Sequence, residues 1–326
     1  MLSIVIPTYN AERFMTNLLD SIFKSEFKDF EVIIVDDCST DNTVKAAKKY
    51  PVLVIEQEKN AGPAKARNKG VDAAMGDIIF FLDSDVIVLD GSIKETHDYF
   101  LRNPSAKCVI GVCATEPLNK GFVPRYMAIF EYIHLIGTKD SKVSVFAPRC
   151  GAIKKGFFKE LGGYSESYKG ADVEDFELAR RINKNDCIFL DEKIRVKHQF
   201  ANFRQAVRNY FKRAVMWMHL FFREKQLDNA GPSKPGNGIA ALCAFFSLLS
   251  LFFMPFIAPA KYVFIFLLTI FLLANMHWWN FMRREAGLMF ALRALFLNYI
   301  LGIDIVIAAI YAVLIYPFTK RQTAGG

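Results

Sequence analysis

Short apolar runs alternate with amphipathic segments over the first part of the chain. Four runs of strand length predict buried strands, at Ser3–Pro7, Glu31–Val35, Val52–Ile55 and Asp77–Leu82. The segments between them carry apolar residues at helical spacing, at Asn10–Lys24, Thr43–Tyr50 and Gly62–Ala74. This alternation predicts a parallel sheet covered by helices on both faces, in an α/β domain that continues as a mixed α/β segment to residue 200.

The C-terminal third has a different pattern. Two stretches without any charge, Gly236–Ala260 and Tyr262–Met282, and a third with one charge, Ala294–Thr319, each exceed the roughly 20 residues that cross a bilayer. We expect membrane spans near 239–257, 262–280 and 297–317, with a connection between the second and third that carries Arg283, Arg284 and Arg293. Asp304 lies within the third span, where we expect it to face other helices.

A basic amphipathic segment precedes these spans. Ala201–Gln226 repeats apolar residues at three- and four-residue steps with arginines and lysines between them, which is typical of a helix in a membrane interface. A Pro/Gly-rich linker follows at 229–238. The expected organisation is a domain over 1–200, an interface helix and linker over 201–235, and a membrane domain over 236–326. The aromatic helix predicted over Lys120–Thr138 suits either a core position or a lipid-facing one.

Charge is distributed as unevenly as hydrophobicity. Residues 1–200 hold 28 Lys+Arg and 29 Asp+Glu, whereas residues 201–326 hold 13 and 4. Positive charge within an apolar region favours an anionic membrane surface and argues against nucleic acid. The basic flanks predict a cytoplasmic N-terminal domain, most simply at a cell inner membrane, and three spans then place the C-terminus outside, against the basic pair Lys320 and Arg321. The six cysteines form no CxxC pair, and we expect reduced, mostly buried thiols.

One acidic motif follows the last predicted strand of the first part. Asp83-Ser84-Asp85 places two carboxylates at a strand end with a turn residue between them. Oxygen ligands in this arrangement suit a hard divalent cation, Mg²⁺ or Mn²⁺, that also keeps phosphate oxygens. By itself such a motif is weak, because solvated turns have the same composition.

With its neighbours, the motif resembles the family 2 glycosyltransferases of the GT-A fold. The matching segments occur in the family's order, over roughly residues 1–200: IVIPTYN at 4–10, VDDCSTDNT at 35–43, NAGPAKARNKG at 60–70, FLDSD at 81–85 and VEDFELARRI at 173–182. The resemblance implies a Rossmann-like nucleotide-sugar transferase domain. The predicted interface helix and spans lie outside it.

The resemblance also implies roles for individual residues. The nucleotide-sugar donor would be bound by Pro7, Thr8, Tyr9, Asp36, Asp37, Arg67, Asp83 and Ser84, and the metal by Asp85 and Asp83. Asp175 corresponds to the catalytic base, with Glu174 and Glu177 as alternatives. His198 resembles a histidine near the donor phosphates, although an ordinary core or surface histidine fits the sequence equally well.

The chain departs from the family's processive members. These usually carry QxxRW on an interface helix, whereas here Gln205 and Arg208 are followed by Asn209. We therefore expect an inverting, metal-dependent transfer of one sugar from a UDP-, GDP- or TDP-linked donor to a lipid-linked acceptor, such as a polyprenyl phosphate or a glycolipid. Arg208 then binds either a lipid phosphate or anionic head groups. A processive synthase and an inactive membrane scaffold are the alternatives.

Overall fold

The computed structural model describes residues 1–136, 142–167, 174–224 and 235–323. Nine strands are present in these residues: β1 (Leu2–Thr8), β2 (Phe30–Asp36), β3 (Leu53–Glu56), β4 (Ile78–Leu82), β5 (Val86–Val88), β6 (Cys108–Cys113), β7 (Lys142–Val143), β8 (Cys150–Lys154) and β9 (Ile188–His198). Eleven helices accompany them: α1 (Glu12–Phe23), α2 (Thr43–Ala47), α3 (Pro63–Ala73), α4 (Ser92–Arg102), α5 (Phe122–Ile136), α6 (Lys155–Glu160), α7 (Glu174–Asn185), α8 (Phe203–Glu224), α9 (Pro235–Phe253), α10 (Ala260–Ala286) and α11 (Leu288–Thr323).

All nine strands belong to one sheet. Its order is β3-β2-β1-β4-β8-β6-β9-β5, and β7 pairs with β9 outside this path. The first four strands along the chain are mutually parallel, as the sequence predicts. β8 then pairs antiparallel with both β4 and β6. The sheet is therefore mixed, and its antiparallel part begins beside the strand that carries the acidic motif.

Both faces of this sheet are covered. Along β1, Ile4 and Ile6 join a buried cluster with α1, whereas Val5 between them joins a second cluster with α3 and α7. This follows from the two-residue period of a strand, which sends neighbouring side chains to opposite faces. Gly70 lets α3 approach closely, because a Cβ atom there would lie 2.4 Å from Cγ1 of Val5.

The chain divides into two compact units. The first comprises Met1–Lys120 and Met127–Phe200 and contains the sheet; the second comprises Gly121–Tyr126 and Ala201–Gly326. The side chains of α5 are buried or half-buried throughout, which favours the core interpretation of this aromatic segment. The predicted linker at 229–238 falls largely outside the described residues.

The second unit contains three helices long and apolar enough to cross a membrane, at Gly236–Phe253, Ala260–Ala286 and Leu288–Tyr316. The predicted connection between the second and third is too long. Only Gly287 separates α10 from α11, so Arg283 and Arg284 end one helix and Arg293 lies exposed within the next. A charged residue such as Arg293 interrupts the apolar run but not the helix, because the backbone hydrogen bonds continue through it. The apolar pattern alone therefore placed the start of this helix too late.

Polar side chains connect the helices of this second unit. Tyr126 donates a hydrogen bond to Oδ1 of Asn298 at 2.9 Å, and Asn298 donates to Oδ1 of Asn275 at 3.0 Å. The ring of Phe211 on α8 lies 5.7 Å from that of Tyr311 on α11, and Phe222 lies 4.6 Å from Tyr316. Part of the apolar face of α8 is therefore covered by protein. Within the third span, Oδ2 of Asp304 is buried without a hydrogen-bond partner among the described residues.

Candidate active site

The parallel strands deliver several predicted residues to one edge of the sheet. Thr8 ends β1 and pairs in register with Asp36, which ends β2, while β4 ends at Leu82 immediately before Asp83. The carboxyl ends of parallel strands form the usual ligand crevice of α/β sheets. The candidate residues at the ends of these strands therefore lie along one edge of the sheet.

The first acidic pair is held by neutral donors. Asp36 accepts hydrogen bonds from the hydroxyl of Ser39 at 2.5 Å, from the Ser39 amide at 2.9 Å and from the hydroxyl of Thr8 at 3.3 Å. Asp37 accepts from the Gln57 side chain at 2.8 Å and from the amides of Ala61 and Gly62 at 2.7 and 2.8 Å. Both carboxylates are buried, and they fix the loops around the ends of β2 and α3.

The second acidic pair lies in the turn between β4 and β5. β5 pairs antiparallel with β9, so that Val86 faces His198, and the Gln199 amide donates to the Asp85 carbonyl at 3.1 Å. This pairing places Nε2 of His198 3.3 Å from Oδ1 of Asp85. Ligand atoms of Asp83, Asp85 and His198 all lie within 4.8 Å of one another. The structure therefore brings His198, for which the sequence left an ordinary histidine equally possible, beside the two carboxylates.

Arg67 connects this turn to α7. Its guanidinium donates to Oδ1 of Asp83 at 2.8 Å and pairs with Oε1 of Glu174 at 3.4 Å. The guanidinium carbon also lies 5.4 Å from the centre of the Tyr164 ring. The Arg67 side chain is 5% exposed; its terminal nitrogens contact protein carboxylates, and its buried Nε has no hydrogen-bond partner among the described residues.

A second arginine, which the sequence analysis does not single out, approaches Asp83 from β8. Leu82 pairs with Cys150 in register, which places Arg149 level with Asp83. Nη2 of Arg149 lies 2.5 Å from Oε1 of Glu131. Burial raises the pKa of the Asp83 carboxyl, but the charge and hydrogen bond of Arg67, with smaller contributions from His198 and Arg149, outweigh burial and hold this pKa below its ordinary value.

The predicted base lies at the start of α7. Asp175 follows Glu174 and is half-buried, and its Oδ1 accepts the Phe176 amide at 2.9 Å. The alternative base Glu177 is paired with Arg181, at 2.7 and 2.6 Å. Glu174 pairs with Arg67, and Glu177 pairs with Arg181.

The segment before α7 is fixed by Asn68. Its amide oxygen accepts the Tyr164 amide at 2.8 Å, and its Nδ2 donates to the Tyr164 carbonyl at 2.9 Å and to Glu166 at 3.1 Å. Gly163 is required beside this contact: its φ is +70°, and a Cβ atom would lie 2.8 Å from the Asn68 amide oxygen. Residues 168–173, which follow, lie outside the described residues.

The donor set around the turn fits a divalent cation. Each arginine beside Asp83 is offset by a glutamate, Arg67 by Glu174 and Arg149 by Glu131. The two arginines and the two glutamates cancel, so the carboxylates of Asp83 and Asp85 leave a net charge of about −2 beside His198. The Nδ1 of His198 is buried and has no hydrogen-bond partner within the described ranges. Carboxylate oxygens with one imidazole suit Mn²⁺ or Mg²⁺.

Residues 3–162 match the family model for glycosyl transferase family 2. This part of the chain is a family 2 glycosyltransferase domain. The domain carries both acidic pairs and Arg67. Glu174, Asp175 and His198 lie beyond the matched residues; Glu174 contacts Arg67, and His198 contacts Asp85.

Two curated relatives show what the glycosyltransferase domain is similar to. An uncharacterized glycosyltransferase of Haemophilus influenzae is 32% identical over 55% of this chain and 61% of its own length. The poly(ribitol-phosphate) beta-N-acetylglucosaminyltransferase TarS of Staphylococcus aureus is 40% identical over 59% of this chain and 34% of its own length. The chain thus spans less than two thirds of either relative.

Solved structures share the fold. TarS residues 1–349 in complex with UDP-GlcNAc align with a TM-score of 0.51 and 22% identity, covering 91% of this chain and 89% of that one. The mannosyltransferase PcManGT of Pyrobaculum calidifontis, in complex with GDP-Man and Mn²⁺, aligns with a TM-score of 0.59 and 16% identity, covering 96% and 86%. The glycosyltransferase domain thus has the GT-A fold.

The remaining predicted residues lie at different depths. Pro7 and Thr8 are buried at the end of β1, Tyr9 is 52% exposed beyond it, and Ser84 is half-buried in the turn. Arg208 is exposed on α8, which belongs to the second unit. The motifs do not indicate Arg149 or Glu131: the antiparallel pairing of β8 places Arg149 beside Asp83, and Glu131 reaches Arg149 from α5.

Proposed function

We propose that this glycosyltransferase is inverting and metal-dependent, and that it moves a single sugar from a nucleotide sugar to a lipid-linked acceptor at the cytoplasmic face of a membrane. The cluster of Asp83, Asp85 and His198, with ligand atoms within 4.8 Å of one another, carries the metal-dependent part. When bound there, Mg²⁺ or Mn²⁺ would neutralise the diphosphate of the departing nucleotide. The donor's base and ribose would lie against Pro7, Thr8, Tyr9, Asp36 and Asp37, and its phosphates near Ser84.

Asp175 is the proposed base. In a single displacement, the acceptor hydroxyl oxygen bonds to the anomeric carbon while the bond from that carbon to the donor phosphate oxygen breaks. The hydroxyl proton passes to the Asp175 carboxylate, and the electron pair leaves with the nucleoside diphosphate. The position of Asp175, one residue after Glu174 with its contact to Arg67, supports this role. An acceptor that is already an ionised phosphate needs no base, and Asp175 would then only position it.

The second unit supports a lipid acceptor. Three helices long and apolar enough to cross a membrane follow the catalytic domain, and residues 201–326 carry an excess of positive charge. Exposed Arg204, Arg208 and Arg213 on α8 offer contacts for anionic head groups or for a lipid phosphate. These features favour a substrate held at the bilayer of a cell inner membrane.

A polymeric acceptor is the second candidate. The observation that favours it is the name of TarS, which transfers N-acetylglucosamine to poly(ribitol-phosphate) and is 40% identical over 59% of this chain. Both candidates use the same catalytic cluster. They differ in where the sugar label appears after the reaction.

The experiment uses the full chain in detergent with native lipid extract, or with polyol-phosphate polymer. UDP-, GDP- and TDP-sugars carrying a labelled sugar are tested with Mg²⁺ or Mn²⁺, and again with excess EDTA. We expect label in the organic phase, one sugar per acceptor, and loss of transfer with EDTA. Label in the polymer supports the second candidate, and product chains of many sugars indicate a processive synthase. Nucleotide binding without transfer to any acceptor would contradict both candidates and indicate a scaffold.

The base is tested separately in Asp175→Asn. With a hydroxyl acceptor we expect kcat to fall about 10²–10⁴-fold, the range for loss of a general base, while the donor KM stays unchanged. Glu177→Gln is the control, since Glu177 is paired with Arg181. Equal activity of Asp175→Asn and wild type on a hydroxyl acceptor would rule out Asp175 as the base.

A further inference from the structure

Arg67 occupies an unusual place for a residue of a nucleotide site. Its side chain is 5% exposed, and its two terminal nitrogens are directed at carboxylates from distant parts of the chain, Asp83 and Glu174. A guanidinium contacting a ligand phosphate or base would need donors facing the crevice. The terminal nitrogens of Arg67 instead join two protein segments.

The neighbouring residue has a related function. Asn68 bonds both the amide and the carbonyl of Tyr164, and it also reaches Glu166. Arg67 in turn lies over the Tyr164 ring. Two consecutive residues of α3 therefore hold the chain at 164–166 and again at Glu174, on both sides of the segment that leads to the proposed base.

These contacts have a geometric consequence. Asp83 belongs to the proposed metal site, and Glu174 is the residue before the proposed base. One buried guanidinium thus sets the spacing between the two. A displacement of about 1 Å in such a constellation costs on the order of 10²-fold in rate, because the reacting groups are no longer aligned.

We propose that Arg67 is a positioning residue: it clamps the start of α7 to the acidic turn, holding Asp175 at a fixed place relative to the metal site, while Asn68 holds residues 164–166. This rests on the proposed function, and it differs from the role in nucleotide binding that the sequence motif implies. Arg67 acts through Asp83 and Glu174 and does not touch the nucleotide.

The first test separates kcat from binding in Arg67→Met. We expect kcat to fall about 10²-fold while the Kd of the nucleoside diphosphate product, measured in EDTA, changes less than about twofold. Lys69→Met is the matched control, because it removes the same charge from an exposed position of α3, and it should match wild type. A Kd that rises tenfold with an unchanged kcat would show that Arg67 is a nucleotide ligand and would overturn the clamp.

Two further variants test the connection itself. Arg67→Lys keeps the charge but not the fork, and we expect it to recover part of the lost kcat. In a double-mutant cycle, Arg67→Met combined with Glu174→Gln should lower kcat little more than either single change does, because both changes remove the same contact between Arg67 and Glu174. Additive losses in the double variant would contradict a shared role.

A measurement that needs no substrate decides the clamp independently. Hydrogen exchange of the peptide spanning α7 should become at least about tenfold faster in Arg67→Met, because a charged hydrogen bond that holds its first residue is lost. Exchange in Lys69→Met should stay at the wild-type rate. If the wild type transfers no sugar from any donor, the proposed function fails while this exchange result still supports or overturns the clamp.

Discussion

Two acidic pairs lie at the same edge of the same sheet, yet their surroundings differ completely. Asp36 and Asp37 accept hydrogen bonds from neutral groups of neighbouring loops. Asp83 and Asp85 face charged or titratable side chains, Arg67 and His198. The first pair therefore fixes the loops beside β2 and α3, whereas the second leaves negative charge in the turn that we propose holds the cation. Position at a strand end alone does not distinguish these roles; the chemistry of the donors does.

The largest effect should come from the second pair. Asp85→Asn removes a carboxylate charge from the proposed metal site without changing its shape. We expect transferase activity to fall about 10²–10³-fold, as when one electrostatic contact to a developing charge is lost. Activity is measured as label transfer at several Mn²⁺ concentrations, and the melting temperature should stay at the wild-type value. Asp90→Asn, at an exposed position just after β5, is the control.

The same substitution in the first pair should lower stability, in addition to any loss of donor binding. Asp37→Asn replaces an acceptor by a donor in front of amides that are already buried, and an unsatisfied group costs about 1–3 kcal/mol. A loss of about 2 kcal/mol lowers the melting temperature of a domain this size by about 4–8 °C. Thermal unfolding in detergent measures it. An unchanged melting temperature would contradict the structural role of Asp37, whatever the activity of the variant.

A smaller effect is expected at Ser39. Ser39→Ala removes the hydroxyl that donates to Asp36 at 2.5 Å but keeps the amide that donates at 2.9 Å. We expect a loss of about 1 kcal/mol, typical of one net hydrogen bond, and little change in the metal dependence of activity. The readouts are the melting temperature and the Mn²⁺ titration. A shifted Mn²⁺ requirement would mean that the two pairs are coupled.

The smallest expected effect concerns the rates at which the cysteine thiols are alkylated. All six thiols are unpaired, and Cys38, directly after the first acidic pair, is exposed. Burial raises the pKa of the Cys108, Cys113 and Cys150 thiols, so these remain protonated and unreactive at pH 8. We expect iodoacetamide to modify Cys38 before these three, and bound nucleotide to slow that reaction. Mass spectrometry of the alkylated peptides checks the order; early labelling of Cys113 would contradict it.

Much of the first unit could be predicted from local pattern. The four expected strands each agree with β1 to β4 within about two residues at either end, because a fully buried strand is a continuous apolar run. The three expected helices between them also appear as α1 to α3, although α2 ends earlier, at Ala47. The acidic turn and the first residues of α7 could be predicted equally well, because short sequence motifs mark them.

Other parts of the site depend on pairing between distant strands. Periodicity does not show that β8 inserts antiparallel between β4 and β6, and this insertion brings Arg149 level with Asp83. His198 was ambiguous for the same reason, because only the register of β9 against β5 places it beside Asp85. The nucleotide contact that the motif implies for Arg67 stays a prediction, whereas its ion pairs with Asp83 and Glu174 are visible only in the structure.

The glycine pair before α7 also determines which sequences this turn can tolerate. Gly162 and Gly163 both have positive φ, at +82° and +70°, but a Cβ atom at Gly162 would meet nothing within 4 Å. Asparagine, which visits the left-handed region at modest cost, is therefore an acceptable replacement at the first position. At the second, any side chain would push against the amide of Asn68. When these two codons are randomised and folded variants are selected, residue 162 should accept asparagine as well as glycine, whereas residue 163 should remain glycine.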